Sequence, residues 1–508
     1  MYCSVNSATL FGVDSLPVCV EADMSQGLPC MEMVGALSPE VKEAKNRVRT
    51  ALKNTGFALP IKRITVNILP ADIKKSGAGF DLPITVALLG AMEMIPESSL
   101  KDIYIIGELG LDGGILPISG ILPVTLTALE KGMKAIIVPK GNYHEASLVS
   151  GIEIIGVSHL NEVISYLVDG TKPEVKDKPI IIKKKSDHDF KDIQGQPLLR
   201  RACEIAAAGM HNLLLIGPPG AGKSMVAQCI PTILPDLTDR EKLEVSKIYS
   251  VCGLLSEEEG LIESRPFRSP HHTTSSAGLT GGGTNIHPGE ISLAHRGVLF
   301  LDELPEFQKS TLEILRQPLE EKVVHISRAT GNFTFPSDFM LVAAMNPCRC
   351  GYFPDMTRCR CTRESVQKYL GKISQPLLDR IDMSVRVRPV GYDELKSPGR
   401  EESSYSIKKR VMHVQKIQKE RFKRSDILFN SKIPSKDINL YCGLKKDEEE
   451  FMSEMYKTMG LTARTYHKVL KVARTIADLA DKEDISIDHL SEALMYRSAD
   501  KDYWEKCL

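Results

Sequence analysis

The stretch Gly217-Pro218-Pro219-Gly220-Ala221-Gly222-Lys223-Ser224 decides the fold of this chain. It matches the P-loop pattern G-x-x-x-x-G-K-[ST] at every fixed position. The apolar residues 213–216 before it predict a buried strand, and the residues after it predict a helix. Glycines let backbone N–H groups surround phosphates, and a helix N-terminus favours negative charge. We therefore predict that Lys223 contacts the β- and γ-phosphates of a nucleotide and that Ser224 is a ligand of Mg²⁺.

A second apolar run, residues 297–301, ends in the two carboxylates Asp302 and Glu303. Asp302 is expected to hold the Mg²⁺ ion, and Glu303 is expected to act as the general base on the attacking water. Acidic pairs after apolar runs are common by chance, but the position of this pair after a P-loop favours the hydrolytic interpretation. The sequence thus predicts a nucleotide-hydrolysing enzyme.

Length and composition limit the class of protein. The 508 residues suggest roughly three or four domains. Hydrophobic residues make up 42% and charged residues 26%, as in soluble globular proteins. The sequence has no apolar run of the ~20 residues that span a bilayer, and its start does not resemble a signal peptide, so we expect a cytoplasmic protein. Lys plus Arg and Asp plus Glu number 65 each, so net charge argues neither for nor against nucleic-acid binding.

Residues 1–170 read as a mixed α/β domain. Strands are predicted near residues 18–22, 64–69, 103–107 and 135–139, and helices at 38–53 and 82–94. Residues 171–188 form a predicted linker that contains Pro173, Pro179 and the run Lys183-Lys184-Lys185. A solvated tether is the favoured interpretation of that run, and a nucleic-acid contact is the alternative.

The stretches Lys75-Ser76-Gly77-Ala78-Gly79-Phe80-Asp81, 107–110 and 114–121 resemble the Lon-type proteolytic domain. Lon proteases use a Ser–Lys dyad, and the resemblance aligns Gly77 with the serine and Leu122 with the lysine. Neither residue can act as a nucleophile or base. The resemblance therefore implies a Lon protease-like α+β fold that lacks protease chemistry.

Residues 189–392 continue as a P-loop AAA+ α/β core. The apolar run 339–345 ends at Asn346, which occupies the position of sensor 1, a polar residue that orients the water in AAA+ enzymes. Arg380, within Leu378-Asp379-Arg380-Ile381-Asp382, resembles the arginine finger that a neighbouring subunit contributes. A surface arginine in an ion pair is the alternative. Ile193 and Gly195, which precede the P-loop, are weaker candidates for adenine contacts.

Residues 393–508 are predicted to form a helical lid. Residues 461–475 resemble a sensor-2 helix, in which Arg464 would contact the γ-phosphate and Arg474 is the second candidate. Residues 407–423 are rich in Lys and Arg. They predict an amphipathic surface helix, with a DNA-facing role as the alternative.

Four cysteines, Cys348, Cys350, Cys359 and Cys361, form a C-x-C, eight residues, C-x-C pattern. Four thiolates can complete a tetrahedral zinc site, so zinc is the favoured interpretation. Reduced thiols near a loop and a redox switch are the alternatives. His271-His272 also suggests a metal site, but an inserted loop is the favoured interpretation because adjacent histidines are expected to diverge.

The motifs together resemble the magnesium-chelatase-like AAA+ proteins of the YifB/ComM type, from residue 1 to about residue 481. They include residues 268–273, 302–307, 345–348 and 474–479. Arg349 departs from the pattern, because a proline is expected between the first two cysteines. The resemblance implies Mg²⁺- and ATP-dependent hexamers.

ComM-like proteins are implicated in branch migration of DNA during natural transformation. The resemblance therefore implies a ring-forming DNA translocase or helicase with DNA, single-stranded or branched, as its partner. An ATPase that remodels a protein partner is the second interpretation. A magnesium-chelatase subunit that acts on a tetrapyrrole is the third, because the fused Lon-like domain does not resemble the motor subunit of that enzyme.

Overall fold

The computed structural model describes residues 1–174, 187–255, 260–283, 286–328, 331–391 and 401–500. Pro179, the lysine run 183–185 and the predicted start of the lid at residue 393 lie outside these ranges. Within them, the structure contains no helix with the length and apolar character needed to cross a membrane.

The first domain is built on a seven-stranded sheet in the order β3-β4-β2-β1-β5-β8-β9. Its strands are β1 (Tyr2–Phe11), β2 (Asp14–Ser25), β3 (Cys30–Val34), β4 (Arg63–Leu69), β5 (Ile103–Ile105), β8 (Ala135–Pro139) and β9 (Glu153–Val157), and a short ribbon joins β6 (Glu108–Leu109) and β7 (Ile115–Leu116). Pairing is antiparallel between β1, β2 and β4 and parallel from β1 through β5 and β8 to β9. This mixture gives the predicted α+β fold.

Five helices accompany this sheet: Pro39–Asn54, Asp81–Ala91, Ile121–Glu130, Tyr143–Ala146 and Leu160–Asp169. The helix Asp81–Ala91 is apolar on all sides, and every residue except Gly90 is buried, as expected of a central helix. Its single carboxylate, Asp81, accepts a hydrogen bond of 2.6 Å from Nε of Arg47. The ion pair satisfies a charge that would otherwise be buried without a partner.

The two positions that correspond to a Lon-type dyad carry no catalytic group. Gly77 has a φ of +87°, and Leu122 is fully buried in the helix Ile121–Glu130. The backbone N–H of Leu122 donates a hydrogen bond of 3.0 Å to Glu145. Gly77 and Ser76 line a cavity of about 460 Å³ that is also lined by Phe333 from the second domain.

The second domain contains a five-stranded sheet, whose strands are β10 (Leu213–Ile216), β11 (Phe267–Arg268), β14 (Val298–Leu301), β17 (Met340–Met345) and β18 (Met383–Arg386). They lie in the order β11-β14-β17-β10-β18. All four neighbouring pairs are parallel, and β10, β14 and β17 are buried throughout. Continuous apolar runs suit such strands because helices cover both faces of a parallel sheet.

Two hairpins project from this core. They are β12 (Gly281–Gly282) with β13 (His287–Pro288), and β15 (Val323–Arg328) with β16 (Gly331–Pro336). The core helices are Pro197–Gly209, Lys223–Ile233, Asp239–Val251, Ser276–Thr280, Glu290–Leu293, Lys309–Ile314, Arg316–Glu321, Arg363–Leu370 and Gln375–Leu378. The first domain packs against this region, since Phe11 contacts Phe333 with ring centroids 4.8 Å apart.

The C-terminal region is helical, as predicted. Its helices are Ser404–Arg421, Ile438–Tyr441, Lys446–Thr458, Ala463–Leu479 and Ile487–Asp500. The basic helix Ser404–Arg421 buries Ile407, Val411 and Val414. Several of its cations pair within the chain, including Arg421 with Asp478 and Lys408 with Asp236, which supports the amphipathic surface helix.

Candidate active site

The parallel sheet brings the predicted catalytic motifs to one edge. The carboxyl ends of neighbouring parallel strands meet at the same edge of a sheet, and β10, β14 and β17 are neighbours. Ser224 Oγ donates a hydrogen bond of 2.6 Å to Asp302 Oδ2. Lys223 Nζ donates one of 3.0 Å to Asn346 Oδ1. Four residues that the sequence placed in three separate motifs therefore lie in direct contact.

The P-loop has the backbone that its glycines permit. Gly220 and Gly222 have φ angles of +75° and +82°, and a Cβ at either position would meet no atom within 4 Å. Glycine is therefore favoured at both positions by the left-handed backbone conformation and not by a lack of room for a side chain. The loop leads into the helix Lys223–Ile233, whose N-terminus faces the loop and favours negative charge.

Lys223 is held inside the loop. Its Nζ also donates to the carbonyl oxygens of Gly217 and Pro218, both at 2.9 Å. Burial lowers the pKa of the Lys223 ammonium, and the carboxylates of Asp302 and Glu303 oppose this effect. A nucleotide phosphate would bring this cation the negative charge that neutral carbonyl groups do not supply.

Glu303 has an unusual backbone conformation. Its φ is +50°, in the left-handed region that few residues other than glycine occupy. Its side chain is 56% exposed, and one carboxylate oxygen lies 3.3 Å from Nδ1 of His272. Strained backbone of this kind clusters at functional sites. Glu303 is thus free to reach solvent and is oriented by a histidine from another segment.

No sequence motif predicts the contact of Glu303 with His272. His272 belongs to residues 268–273 of the family pattern and to the His271-His272 pair that suggests a metal site, and neither pattern indicates Glu303 as its partner. The expectation that adjacent histidines diverge was wrong, because the rings of His271 and His272 lie with their centroids 4.1 Å apart. Among the described residues, neither histidine belongs to a cluster that could hold a metal ion.

Arg380 and Arg464 lie together, and both contact Glu320. Arg380 Nη2 is 2.6 Å from Glu320 Oε1, and Arg464 Nη2 is 3.0 Å from the same oxygen. The Arg380 guanidinium also donates to the carbonyl oxygens of Arg316 and Pro376. The structure thus brings these two candidates to one acidic residue, Glu320, that no sequence motif indicates.

Arg474, the second candidate for sensor 2, is buried and serves the fold. Its guanidinium pairs with Asp478 at 3.0 Å and donates to the carbonyl oxygens of Lys482 and Glu483. The contacts close the end of the helix Ala463–Leu479 over the segment that follows it. Of the two candidates, Arg464 is the exposed one.

The candidates for adenine contacts lie beside the P-loop segment. Ile193 is buried, and the N–H of Gly195 donates a hydrogen bond of 2.9 Å to Glu401. Gln196, the next residue, donates from Nε2 to the carbonyl of Ala221 at 3.2 Å. The segment before the helix Pro197–Gly209 is therefore tied both to the loop and to the C-terminal region.

The four cysteines of the C-x-C pattern meet at one point. Their sulfur atoms all lie within 4.8 Å of one another, with 3.3 Å between Cys348 and Cys350 and 3.5 Å between Cys350 and Cys359. A tetrahedral site with Zn–S bonds of about 2.3 Å would place its sulfur atoms about 3.8 Å apart. The arrangement therefore fits a four-thiolate metal site, in which Cys361 is the fourth ligand.

This cysteine cluster, Cys348, Cys350, Cys359 and Cys361, adjoins the P-loop. Cys348 follows Asn346 by two residues, and Gly351 packs directly on Pro219 of the P-loop. Burial opposes ionisation of Cys350, but hydrogen bonds from the backbone and the neighbouring thiols lower its pKa to about 6. Burial raises the pKa of Cys359 to about 12.

Three family models match successive parts of the chain. The model described as "Subunit ChlI of Mg-chelatase" matches residues 20–142, "Magnesium chelatase, subunit ChlI" matches residues 189–395, and "Magnesium chelatase, subunit ChlI C-terminal" matches residues 401–497. The match to residues 189–395 includes the P-loop, Asp302, Glu303, Asn346 and Arg380.

Individual relatives match nearly the whole chain. The YifB protein of Escherichia coli (strain K12) is 42% identical over 501 residues, which cover 98% of this chain and 97% of that protein. The competence protein ComM of Haemophilus influenzae is 41% identical over 502 residues, which cover 97% of each. A Lon protease of Rhizobium meliloti is 30% identical over 159 residues, only 29% of this chain and 20% of the protease.

Proposed function

This chain belongs to the magnesium-chelatase-like family of AAA+ proteins that includes YifB and ComM, and we propose that it is an ATP-hydrolysing, ring-forming motor that acts on DNA. The contact of Lys223 with Asn346 and of Ser224 with Asp302 is the observation that carries the ATPase proposal. These pairs join the phosphate-binding, magnesium-binding and water-orienting groups at one edge of the sheet.

In this proposal each residue has a distinct part in hydrolysis. The loop from Gly217 to Lys223 surrounds the phosphates with N–H groups and one cation. Ser224 and Asp302 would hold Mg²⁺, and the ion would supply positive charge that neutralises the phosphates. Glu303 takes a proton from the attacking water, and Asn346 keeps that water in line.

The relative named a competence protein supports DNA as the substrate, since competence is the uptake of DNA. The Lon-like first domain, with its cavity of about 460 Å³, favours remodelling of a protein partner as the second candidate. A magnesium-chelatase subunit is the third candidate, supported by the family models alone.

The test is the rate of ATP hydrolysis without DNA, with single-stranded DNA and with forked DNA. We expect DNA to stimulate the rate in the wild type and to have no effect on the Lys223→Ala variant, which lacks the phosphate-binding cation. Equal rates with and without both kinds of DNA would contradict the DNA proposal and leave the ATPase proposal standing.

We also propose that catalysis is shared between subunits, with Arg380 completing the site of a neighbour. Its contacts with Glu320, Arg316 and Pro376 are consistent with a side chain that does not serve its own P-loop. An arginine finger can increase the rate ~10³–10⁵-fold, because it neutralises charge that develops in the transition state.

Mixed rings test this sharing. Lys223→Ala and Arg380→Ala are each expected to be inactive alone. Mixing them should restore part of the ATPase activity, because an intact P-loop can then lie beside an intact Arg380. No recovery in rings that contain both variants would contradict a shared site.

We propose zinc as the metal of the cysteine cluster. The four sulfur atoms have the separations of a tetrahedral site, and thiolates are the ligands of structural zinc. Arg349 and Arg360, which lie on the exposed side of the cluster, would offset the negative charge of four thiolates around one Zn²⁺ ion.

A further inference from the structure

Glu320 joins two arginines from distant parts of the chain. It lies in the short helix Arg316–Glu321, between the Asp302-Glu303 pair and Asn346 in the sequence. Arg380 follows Asn346 in the core, and Arg464 lies in the first turn of the helix Ala463–Leu479 of the C-terminal region. The two guanidinium groups contact the same oxygen of Glu320, at 2.6 and 3.0 Å.

The two arginines depend on Glu320 to different degrees. Arg380 is 10% exposed, and two backbone carbonyls also accept hydrogen bonds from its guanidinium. Arg464 is 51% exposed, and its described contact is to Glu320. Long exposed side chains sample many rotamers unless a partner fixes them. Loss of Glu320 should therefore release Arg464 more than Arg380.

We propose that Glu320 is a positioning residue that holds Arg380 and Arg464 as one pair, so that both arginines serve the same nucleotide. This inference rests on the proposed shared ATPase site. Two guanidinium groups on one carboxylate leave a net charge of about +1, which still attracts a phosphate. The phosphate oxygens would replace Glu320 as partner of one or both arginines when a neighbouring subunit docks.

A purely structural role for Glu320 is the alternative to a positioning role. Glu320 also connects the core to the C-terminal region, so it could matter only for stability. A purely structural contact would change the temperature of unfolding. It would not make Glu320→Ala behave like Arg380→Ala when each is mixed with Lys223→Ala. The ATPase activity of mixed rings therefore distinguishes the two roles.

The experiment compares Glu320→Ala and Glu320→Gln with the matched control Glu321→Ala. Glu321 is the next residue, has a similar exposure and contacts His325 and Gln317 in place of the arginines. We expect Glu320→Ala to lower kcat by about 10–100-fold, the loss that misplaced catalytic groups produce, with little change in KM. Glu320→Gln should lose less, because its amide oxygen can still accept hydrogen bonds.

Mixed rings then decide the role of Glu320. Glu320→Ala should regain activity with Lys223→Ala, which carries an intact arginine pair, and should regain none with Arg380→Ala. Near wild-type kcat for Glu320→Ala, or recovery on mixing with Arg380→Ala, would overturn the proposal. So would failure to recover with Lys223→Ala under conditions in which Arg380→Ala does recover.

If catalysis is not shared between subunits, Lys223→Ala should restore the activity of neither Arg380→Ala nor Glu320→Ala. The pairing is then judged from the double variant Glu320→Ala with Arg464→Ala. Effects on kcat that do not add would support positioning of Arg464 by Glu320, and effects that add would overturn it.

Discussion

Replacing Gly351 by alanine should disturb the P-loop from outside it. Gly351 has a φ of +85°, and a Cβ built on it would lie 2.3 Å from Cδ of Pro219, where ordinary contacts begin at 3.4 Å. The two segments would therefore have to separate by about 1 Å. Because proline is a rigid ring within the loop, Pro219 cannot rotate away as a flexible side chain would.

Two effects of the Gly351→Ala substitution can be estimated. An alanine in the left-handed region destabilises the fold by about 1–2 kcal/mol. A displacement of about 1 Å at a catalytic site can lower the rate by about 100-fold. We therefore expect Gly351→Ala to lower kcat by about 10–100-fold while the protein remains folded at 25 °C.

Gly460→Ala is the matched control. Gly460 also has a positive φ, +56°, but a Cβ there would meet nothing within 4 Å. Urea unfolding should show a loss of stability in both variants, and a larger loss in Gly351→Ala because only its Cβ clashes with Pro219. The steady-state ATPase assay should show a large loss only in Gly351→Ala. Equal kcat values for the two variants would refute the reasoning. A loss of bound metal without a loss of rate would show that the cysteine cluster moves in place of the P-loop.

Four further predictions follow from the site and its surroundings. Lys223→Ala should lose nucleotide binding, and equal nucleotide affinity of this variant and the wild type in a titration would disprove the P-loop assignment. Glu303→Gln should still bind nucleotide, but its kcat should be at least about 100-fold lower because only the base is lost. Metal analysis of protein purified without chelator should find about one zinc per chain, and Cys359→Ala should lose it; a metal-free wild type would end the zinc proposal. No peptidase activity is expected, since Gly77 and Leu122 cannot form a dyad; casein cleavage that survives Lys223→Ala and disappears on replacing Ser76 would show that the alignment is wrong. The His295 ring, whose Nε2 lies 3.6 Å from the Glu244 carboxylate, and the guanidinium of Arg296 lower the pKa of Glu244 from 4.5 to about 2. The contribution of Glu244 to stability is therefore present above pH 4.5 and is lost as the pH falls towards 2. Urea midpoints should fall less steeply with acid in Glu244→Gln, and identical slopes would contradict this.

The motifs of the ATPase core could be predicted because each is a local pattern. A continuous apolar run forms a buried strand, and the polar residues that follow it must lie at the end of that strand. This reasoning located Lys223, Ser224, Asp302 and Asn346, and the structure brings them into contact. The fold class and the family were also predicted and are confirmed.

Residues whose partners are distant in sequence could not be found in this way. The sequence suggests only a metal site for His272 and no role for Glu320, because their contacts with Glu303, Arg380 and Arg464 join segments that are distant in the sequence. The difference between Arg464 and Arg474 has the same origin. Both are arginines of one helix, and only packing determines that Arg474 is buried against Asp478.

The sequence by itself determined the P-loop, the buried strands that precede Gly217, Asp302 and Asn346, and the absence of a serine and a lysine at Gly77 and Leu122, since each depends on residue type and local spacing. The tertiary structure decided which side chains meet at the edge of the sheet, that Arg380 and Arg464 share Glu320, and that Gly351 supports Pro219. The physical reason is that short-range patterns fix strands and helices, whereas side-chain pairs across long separations depend on how those elements pack.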